Sequence, residues 1–258
     1  MNTASHRNTA ANTPATLALL ATLALAAAPA AAYETQETAD GNPVRWGTAE
    51  VVITLDGSIS GLGPTPGVEE AIVSAFERWV AEADLPLDFT LVQGDCGEPG
   101  FHQGESNENC VMARHLGEDS GHTGATTRLS YSSPSGDIVD GDIVFNLDAG
   151  HWGLDGEPEA LDIFEVSLHE VGHLLGLAHS DVEEARMYST MGFGPDGDGG
   201  LHEDDIAGAG ELYADLEATI ETLTCSVATP GATTPSLEIL LATLLAGAGI
   251  WTIRRKIR

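Results

Sequence analysis

The chain has 258 residues, with 10 basic against 40 acidic side chains and a formal net charge of −30. That length suffices for one domain with a real core. So negative a surface disfavours nucleic acid and anionic membranes as partners.

Residues 1–32 read as a secretory signal. A polar start with His6 and Arg7 leads into the apolar stretch Leu17–Ala28, and Ala30-Ala31-Ala32 supplies a small-residue cleavage site. Cleavage before Tyr33 is expected, which makes the protein secreted or displayed at the cell surface. A buried alanine-rich helix is the alternative, and the terminal position argues against it. From Tyr33 to Pro235 there are five arginines, no lysine and thirty-nine of the forty acids. Such a surface suits a salty medium, where counterions screen self-repulsion. Calcium binding is the other use for it.

Val51-Val52-Ile53-Thr54-Leu55 is a β-branched run ending at Asp56-Gly57, a strand and a turn. Val68, Ile72, Ala75, Phe76, Trp79 and Val80 then recur at helical spacing and predict a helix over about 68–83, ending before Pro86. Phe89-Thr90-Leu91-Val92 is a second strand, and Trp46 and Trp79 are core residues. Cys96 and Cys110 bracket a loop rich in Gly, Asn and Glu. A disulfide between them fits an exported chain and would contribute about 3 kcal/mol. Cys225 is left as a free thiol or as part of a sorting signal. Thr126–Tyr131 and Asp142–Asn146 read as further short strands. Asp137, Asp140 and Asp142 form one acidic cluster and Asp196 and Asp198 another, so Ca(2+) is a candidate ion. Neither run has the spacing of a dedicated calcium loop. His115, His122 and His151 read as loop residues rather than ligands.

His169-Glu170-Val171-Gly172-His173-Leu174-Leu175-Gly176-Leu177-Ala178-His179 follows on a helix expected over about 161–177. Phe164, Leu168, Val171 and Leu175 supply its buried side. Positions four apart share a helix face, so His169 and His173 aim at one point. Gly176 lets the chain turn out of the helix and returns His179 as a third ligand. Three protein ligands leave a fourth zinc position for water, the mark of a catalytic site. Residues 192–200 are nearly all Gly, Pro, Asp and Phe, a loop. Leu201 to Ile206 opens a last helix that packs through Ile206, Ala209, Leu212 and Tyr213. Residues 217–235 read as a linker. In 236–258 an apolar run, Ile239–Ile253, is closed by Arg254-Arg255-Lys256-Ile257-Arg258, a transmembrane anchor or a sorting segment with its basic end cytoplasmic. An amphipathic helix on the domain is the alternative, and a run apolar on every face argues against it.

The H-E-x-x-H-x-x-G-x-x-H pattern resembles the metzincin clan of zinc peptidases. Ser180 after His179 and the Met187-Tyr188 pair narrow the resemblance to the matrixin branch, bacterial type. It is strong from His169 to Tyr188 and extends loosely over the rest of Trp46 to Tyr213. It implies an α+β catalytic domain over 33–216, with a mixed twisted sheet, three main helices and zinc in the cleft. Met187 would be the methionine of the turn beneath the metal, a polarizable apolar floor; its plainer reading is an ordinary core methionine. Met191 is a second candidate for that turn with a poorer spacing. Ser189 and Met191 stand where the family carries proline and tyrosine, which alters the wall of the specificity pocket. Of the pair Asp204-Asp205, the resemblance makes Asp205 a buried support for the methionine turn; the alternative is a pair of carboxylates facing a helix dipole. The Thr126–Tyr131 segment, or the loop after it, would be the edge strand that pairs with extended substrate. Gly141-Asp142-Ile143-Val144-Phe145-Asn146 has valine where the family's structural-zinc histidine belongs, so that second zinc is expected to be missing. Cys96-Gly97 follows the first helix and is no inhibitory cysteine. Tyr33–Glu50 is too short for a sizeable prodomain.

The implied function is a secreted zinc metalloendopeptidase. One zinc is held by His169, His173 and His179, and Glu170 is the general base. The protein is expected to act as a monomer on protein or peptide substrates, broadly or in one narrow maturation event. The competing reading is a non-catalytic, zinc-containing surface module that binds on a peptidase fold. The presence of Glu170 argues against it, since a structural zinc site has no use for that carboxylate.

Overall fold

The computed structural model describes residues 32–104, 107–117, 123–154, 156–189 and 200–227, with side chains up to 216. Strand β1 (Glu50–Asp56) leads through a 3-10 turn (Gly57–Gly61) into helix α1 (Thr65–Glu82), and strand β2 (Asp88–Gly94) returns. Three more strands follow, β3 (Cys110–Arg114), β4 (Ala125–Tyr131) and β5 (Ile138–Asn146). The five form one sheet in the order β2-β1-β3-β5-β4, parallel except for β4, which runs antiparallel to β5. Parallel neighbours cannot be joined by a tight turn, and α1 is the crossover between β1 and β2. The short strands β6 (Trp152–Gly153) and β7 (Leu161–Asp162) pair with each other, and helices α2 (Ile163–Leu174) and α3 (Glu203–Val227) complete an α+β fold.

The core lies between the sheet and the helices. The six α1 residues assigned to an inward face are the six it buries. The helix begins at Thr65 rather than near 68, because Pro66 falls in the first turn, where its missing N–H costs nothing. Strand β3 is unforeseen. It lies between β1 and β5, and Cys110 to Ala113 are all buried, so it lacks the alternation that marks a half-exposed strand. Cys96 and Cys110 are joined by a disulfide, which ties the 96–110 loop to the start of β3.

The helix expected over 161–177 is shorter. Asp162 caps it, accepting from the Glu165 N–H at 3.1 Å, and Gly176, at φ +103°, turns the chain out beyond Leu174. The stretch expected as a linker from 217 is helical as far as Val227, since α3 does not close after Tyr213. Ala218, Ile220, Glu221 and Leu223 continue it with helix-compatible residues, and the first strong breakers, Pro230-Gly231, come later. Residues 1–31 of the expected signal and all of 236–258 lie outside the described residues. Among those described, no helix is long and apolar enough to cross a membrane.

The end of α2 is closed by side chains from far away in sequence. Trp46 Nε1 donates to the Leu174 carbonyl at 3.0 Å, and the Tyr213 hydroxyl donates to the Leu175 carbonyl at 2.8 Å. Both carbonyls lie at the last turn, where an acceptor finds no N–H donor within the helix. Trp79 Nε1 reaches the Leu168 carbonyl at 2.7 Å and fixes α1 against the middle of α2. Residues 34–36 run beside 176–178, with Gln36 N–H on the Gly176 carbonyl and Ala178 N–H on the Glu34 carbonyl, both at 2.8 Å.

Candidate metal centre

One ring nitrogen from each of His169, His173 and His179 lies within 4.8 Å of the other two. Among the described residues this is the one group of three or more metal-ligating side chains so arranged. His169 is buried, His173 half-buried and His179 exposed, so the cluster opens to solvent on the side of the turn. The helix supplies the first two rings and the Gly176 turn the third. No other residue fits that turn: a Cβ on Gly176 would lie 1.9 Å from the Val44 carbonyl oxygen.

Hydrogen bonds set the tautomers. His169 Nδ1 donates to the Arg186 carbonyl at 2.8 Å and His173 Nδ1 to the Leu177 carbonyl at 2.9 Å. A carbonyl only accepts, so both Nδ1 atoms carry the proton and both Nε2 atoms present lone pairs. His173 Nε2 and His179 Nε2 approach to 3.2 Å. Two ring nitrogens that close need a cation or a shared proton between them. Neutral imidazoles with Nδ1 held by backbone carbonyls are what zinc takes, and the donor set fits that ion. Burial, reinforced by His173, pushes the His169 pKa down to about 4, and burial lowers that of His173 also, so neither ring charges easily.

Glu170 is buried beside the histidines. Burial pushes its pKa up to about 7, while the Thr127 hydroxyl pulls the other way. That hydroxyl lies 2.6 Å from Glu170 Oε2 and 3.0 Å from the Glu170 carbonyl oxygen. Thr127 was not singled out from the sequence, because nothing local marks one threonine of a Thr-Thr pair on a strand.

Beneath the histidines, Met187 is buried against Gly172. A Cβ on Gly172 would sit 2.2 Å from Met187 Sδ and 2.8 Å from Trp79 Cζ2, so the floor is built around that missing methyl group. The sequence offered Gly172 only as a spacer in the motif. Asp205 is almost fully buried and accepts three backbone N–H groups, from Met187 at 2.9 Å, Arg186 at 2.7 Å and His202 at 2.8 Å. Burial raises its pKa, and those three bonds oppose the rise. Asp204 does a different job, accepting from the Ser180 hydroxyl at 2.6 Å and from the Ala32 N–H at 3.0 Å. Ser180 N–H in turn reaches the Met187 carbonyl at 2.8 Å. Arg186, also unforeseen, holds His169 through its carbonyl and pairs with Glu165 through its guanidinium.

The other candidates fall elsewhere. Asp140 and Asp142 are buried together on β5, whereas Asp137 is exposed and lies against Gly47. Asp142 accepts from the N–H groups of Gly100 and Cys110, while Asp140 Oδ2 has no hydrogen-bond partner among the described residues. His115 bonds Asp148 and His151 bonds Glu157. Val144 is fully buried in a small apolar cluster with Cys110 and Met112. His122, Met191, Asp196, Asp198 and Cys225 contribute no side chain to the described residues.

A family model described as Matrixin matches residues 45–214. The chain is 30% identical over 148 residues to matrilysin of Rattus norvegicus, covering 57% of this chain and 50% of that protein. It is 32% identical over 181 residues to neutrophil collagenase of Homo sapiens, covering 70% and 35%. To metalloendoproteinase 2-MMP of Arabidopsis thaliana it is 33% identical over 161 residues, covering 58% and 38%. The chain thus spans half or less of the length of these relatives.

Proposed function

Since the chain belongs to the matrixin family, we propose that it is a zinc-dependent metalloendopeptidase that hydrolyses peptide bonds with Glu170 as general base. The observation that carries this reading is the convergence of three imidazoles, with His173 Nε2 and His179 Nε2 at 3.2 Å, and a buried carboxyl group next to them. His169, His173 and His179 would hold the ion, and zinc when bound supplies Lewis acidity toward water and toward the scissile carbonyl. Glu170 takes the proton of the attacking water and hands it to the leaving amine. No covalent intermediate is needed. Among the described residues strand β4 is paired on one side only, with β5, so its outer edge offers backbone groups to an extended peptide.

The finer assignments rest on the sequence. We assign residues 1–32 to an export signal, 33–216 to the catalytic domain and 236–258 to an anchor or sorting segment. This makes the protein a secreted or surface-held monomer of the bacterial type, acting on proteins or peptides. Calcium is a second candidate ion, and Asp140 supports it as a buried carboxylate with an unpartnered oxygen.

The deciding experiment incubates the zinc-loaded full chain and its Glu170→Gln variant with a mixed peptide library, with and without a chelator. Cleavage that the chelator abolishes is expected for the parent. The variant should bind equal zinc and lose at least about 100-fold in rate, the low end for general acid–base catalysis. Full activity in the variant would sink the base assignment. A parent that binds zinc and cuts nothing would favour the binding module.

A further inference from the structure

We propose that Thr127 is a positioning residue for the reaction, its hydroxyl fixing the Glu170 carboxyl group so that one oxygen is held by the protein and the other is presented to the reactants. The proposal rests on the assignment of Glu170 as general base. A glutamate side chain has three rotatable bonds, and a base must hold its acceptor oxygen within hydrogen-bond reach of one particular proton. On a helix, the backbone fixes only the root of the side chain. Something must fix its tip.

The structure assigns that task to Thr127. Its Oγ1 lies 2.6 Å from Glu170 Oε2, and among the described residues no other side chain hydrogen-bonds that carboxyl group. The same oxygen lies 3.0 Å from the Glu170 carbonyl. One hydroxyl is therefore registered against both the root and the tip of a single glutamate. It has one proton and two lone pairs, so it donates to one of these oxygens at a time without leaving its place. Oε1 is the oxygen left free to take the proton.

The scaffold behind the hydroxyl is stiff. Threonine is β-branched, and its χ1 is confined more tightly than that of serine. Residue 127 sits inside β4, paired with Ile143 of β5, an interior strand between β3 and β4 that is buried along nearly all its length. Thr127 also sits on the strand whose outer edge, among the described residues, pairs with no other strand. A hydroxyl on that strand bonded to the base puts the substrate platform and the base in one register. An error in either would otherwise be free to grow, and a 1 Å misplacement can cost two orders of magnitude in rate.

The test uses the zinc-loaded full chain with Thr127→Val and Thr127→Ser, a peptide found to be cleaved, and crystal structures of the parent and the valine variant. Valine keeps the shape and removes the hydroxyl; serine keeps the hydroxyl and loosens it. For Thr127→Val the expected result is kcat lower by 10–100-fold with KM within about twofold and zinc content unchanged. The Glu170 carboxyl group should be displaced from its parent position in the crystal. Thr127→Ser should recover kcat to within a few-fold of the parent. If the valine variant keeps its kcat, or raises KM instead, or loses activity that serine does not restore, the proposal is overturned. So is it if the carboxyl group stays in place. The crystal comparison needs no activity, so a parent that cleaves nothing would defeat the peptidase reading while leaving the positioning claim open to refutation.

Discussion

Asp205→Ala separates two accounts of the paired aspartates, because they differ in size. If the pair merely faced the positive end of α3, each carboxylate would contribute about 0.3–1 kcal/mol, and Asp204→Ala and Asp205→Ala would cost alike. The contacts say otherwise. Asp205 accepts three backbone N–H groups, and the Met187 bond is buried. Bonds to a charged group contribute about 1.5–3 kcal/mol each. Their sum is too high, since burial penalises the same carboxylate and raises its pKa. Alanine would also leave three donors without an acceptor, at about 1–3 kcal/mol for each that water cannot reach. A net loss of about 3–5 kcal/mol is expected for Asp205→Ala and roughly 1–2 for Asp204→Ala. In a domain of this size the first corresponds to a fall in Tm of about 6–20 °C. Zinc affinity should fall as well, because Arg186 and Met187 lose their anchor and the Arg186 carbonyl holds His169. Urea unfolding of the zinc-loaded full chain, with chelator competition for the metal, reads both quantities. Equal losses for the two variants, each under about 1 kcal/mol, would refute the buried three-bond role of Asp205 and leave the dipole.

Two further outcomes follow from the packing and from burial. Gly172→Ala should gain about 1 kcal/mol of helix propensity yet lose more in overpacking against Met187 and the pinned Trp79; urea unfolding should show a net loss of about 1–2 kcal/mol, and a gain would refute the fitted floor. Asp140 is pushed up to a pKa of about 6 by burial, with Asp142 adding to the rise. A folded-state pKa above the unfolded value means that the folded protein holds this proton more tightly. The contribution is complete below about pH 4 and lost as pH rises through 6. Asp140→Asn should therefore match the parent near pH 4 and be more stable near pH 8, by roughly 1–2 kcal/mol once solvent screening is allowed for. Added calcium should raise the parent's Tm at pH 8 and leave the variant's unchanged; equal responses would remove Asp140 from any calcium site.

What could be read from the sequence was what repeats or clusters locally. The inward face of α1 follows from its spacing, because a helix face is a property of one segment. The three histidines and Glu170 fall within eleven residues, so their convergence needs only helix geometry and one glycine turn. Strand β3 escaped because a strand buried on both faces shows no alternation, and its first residue, Cys110, looked like the end of a loop. The supports of the site escaped for a different reason. Thr127 meets Glu170 across 43 residues of chain, Arg186 meets His169 across 17, and Trp46 meets Leu174 across 128. Such pairs are brought together by the sheet and the core, and no local pattern marks either partner.

Those distant supports also rank the three histidines proposed as ligands. His169 and His173 each have Nδ1 fixed by a backbone carbonyl, and both rings stand on a helix whose middle is pinned by Trp79 and whose end is pinned by Trp46 and Tyr213. They are arranged before any metal arrives, so little ordering entropy is lost when it binds. His179 is different. It is exposed, and among the described residues its ring has no anchoring carbonyl, only the approach to His173. Its place depends on the Gly176 turn and on residues 34–36, which bond the backbone on either side of Leu177. His179, the third proposed ligand, is therefore held by backbone and not by its own side chain. Damage to that brace should weaken metal binding well before it disturbs the two helical histidines or the base between them.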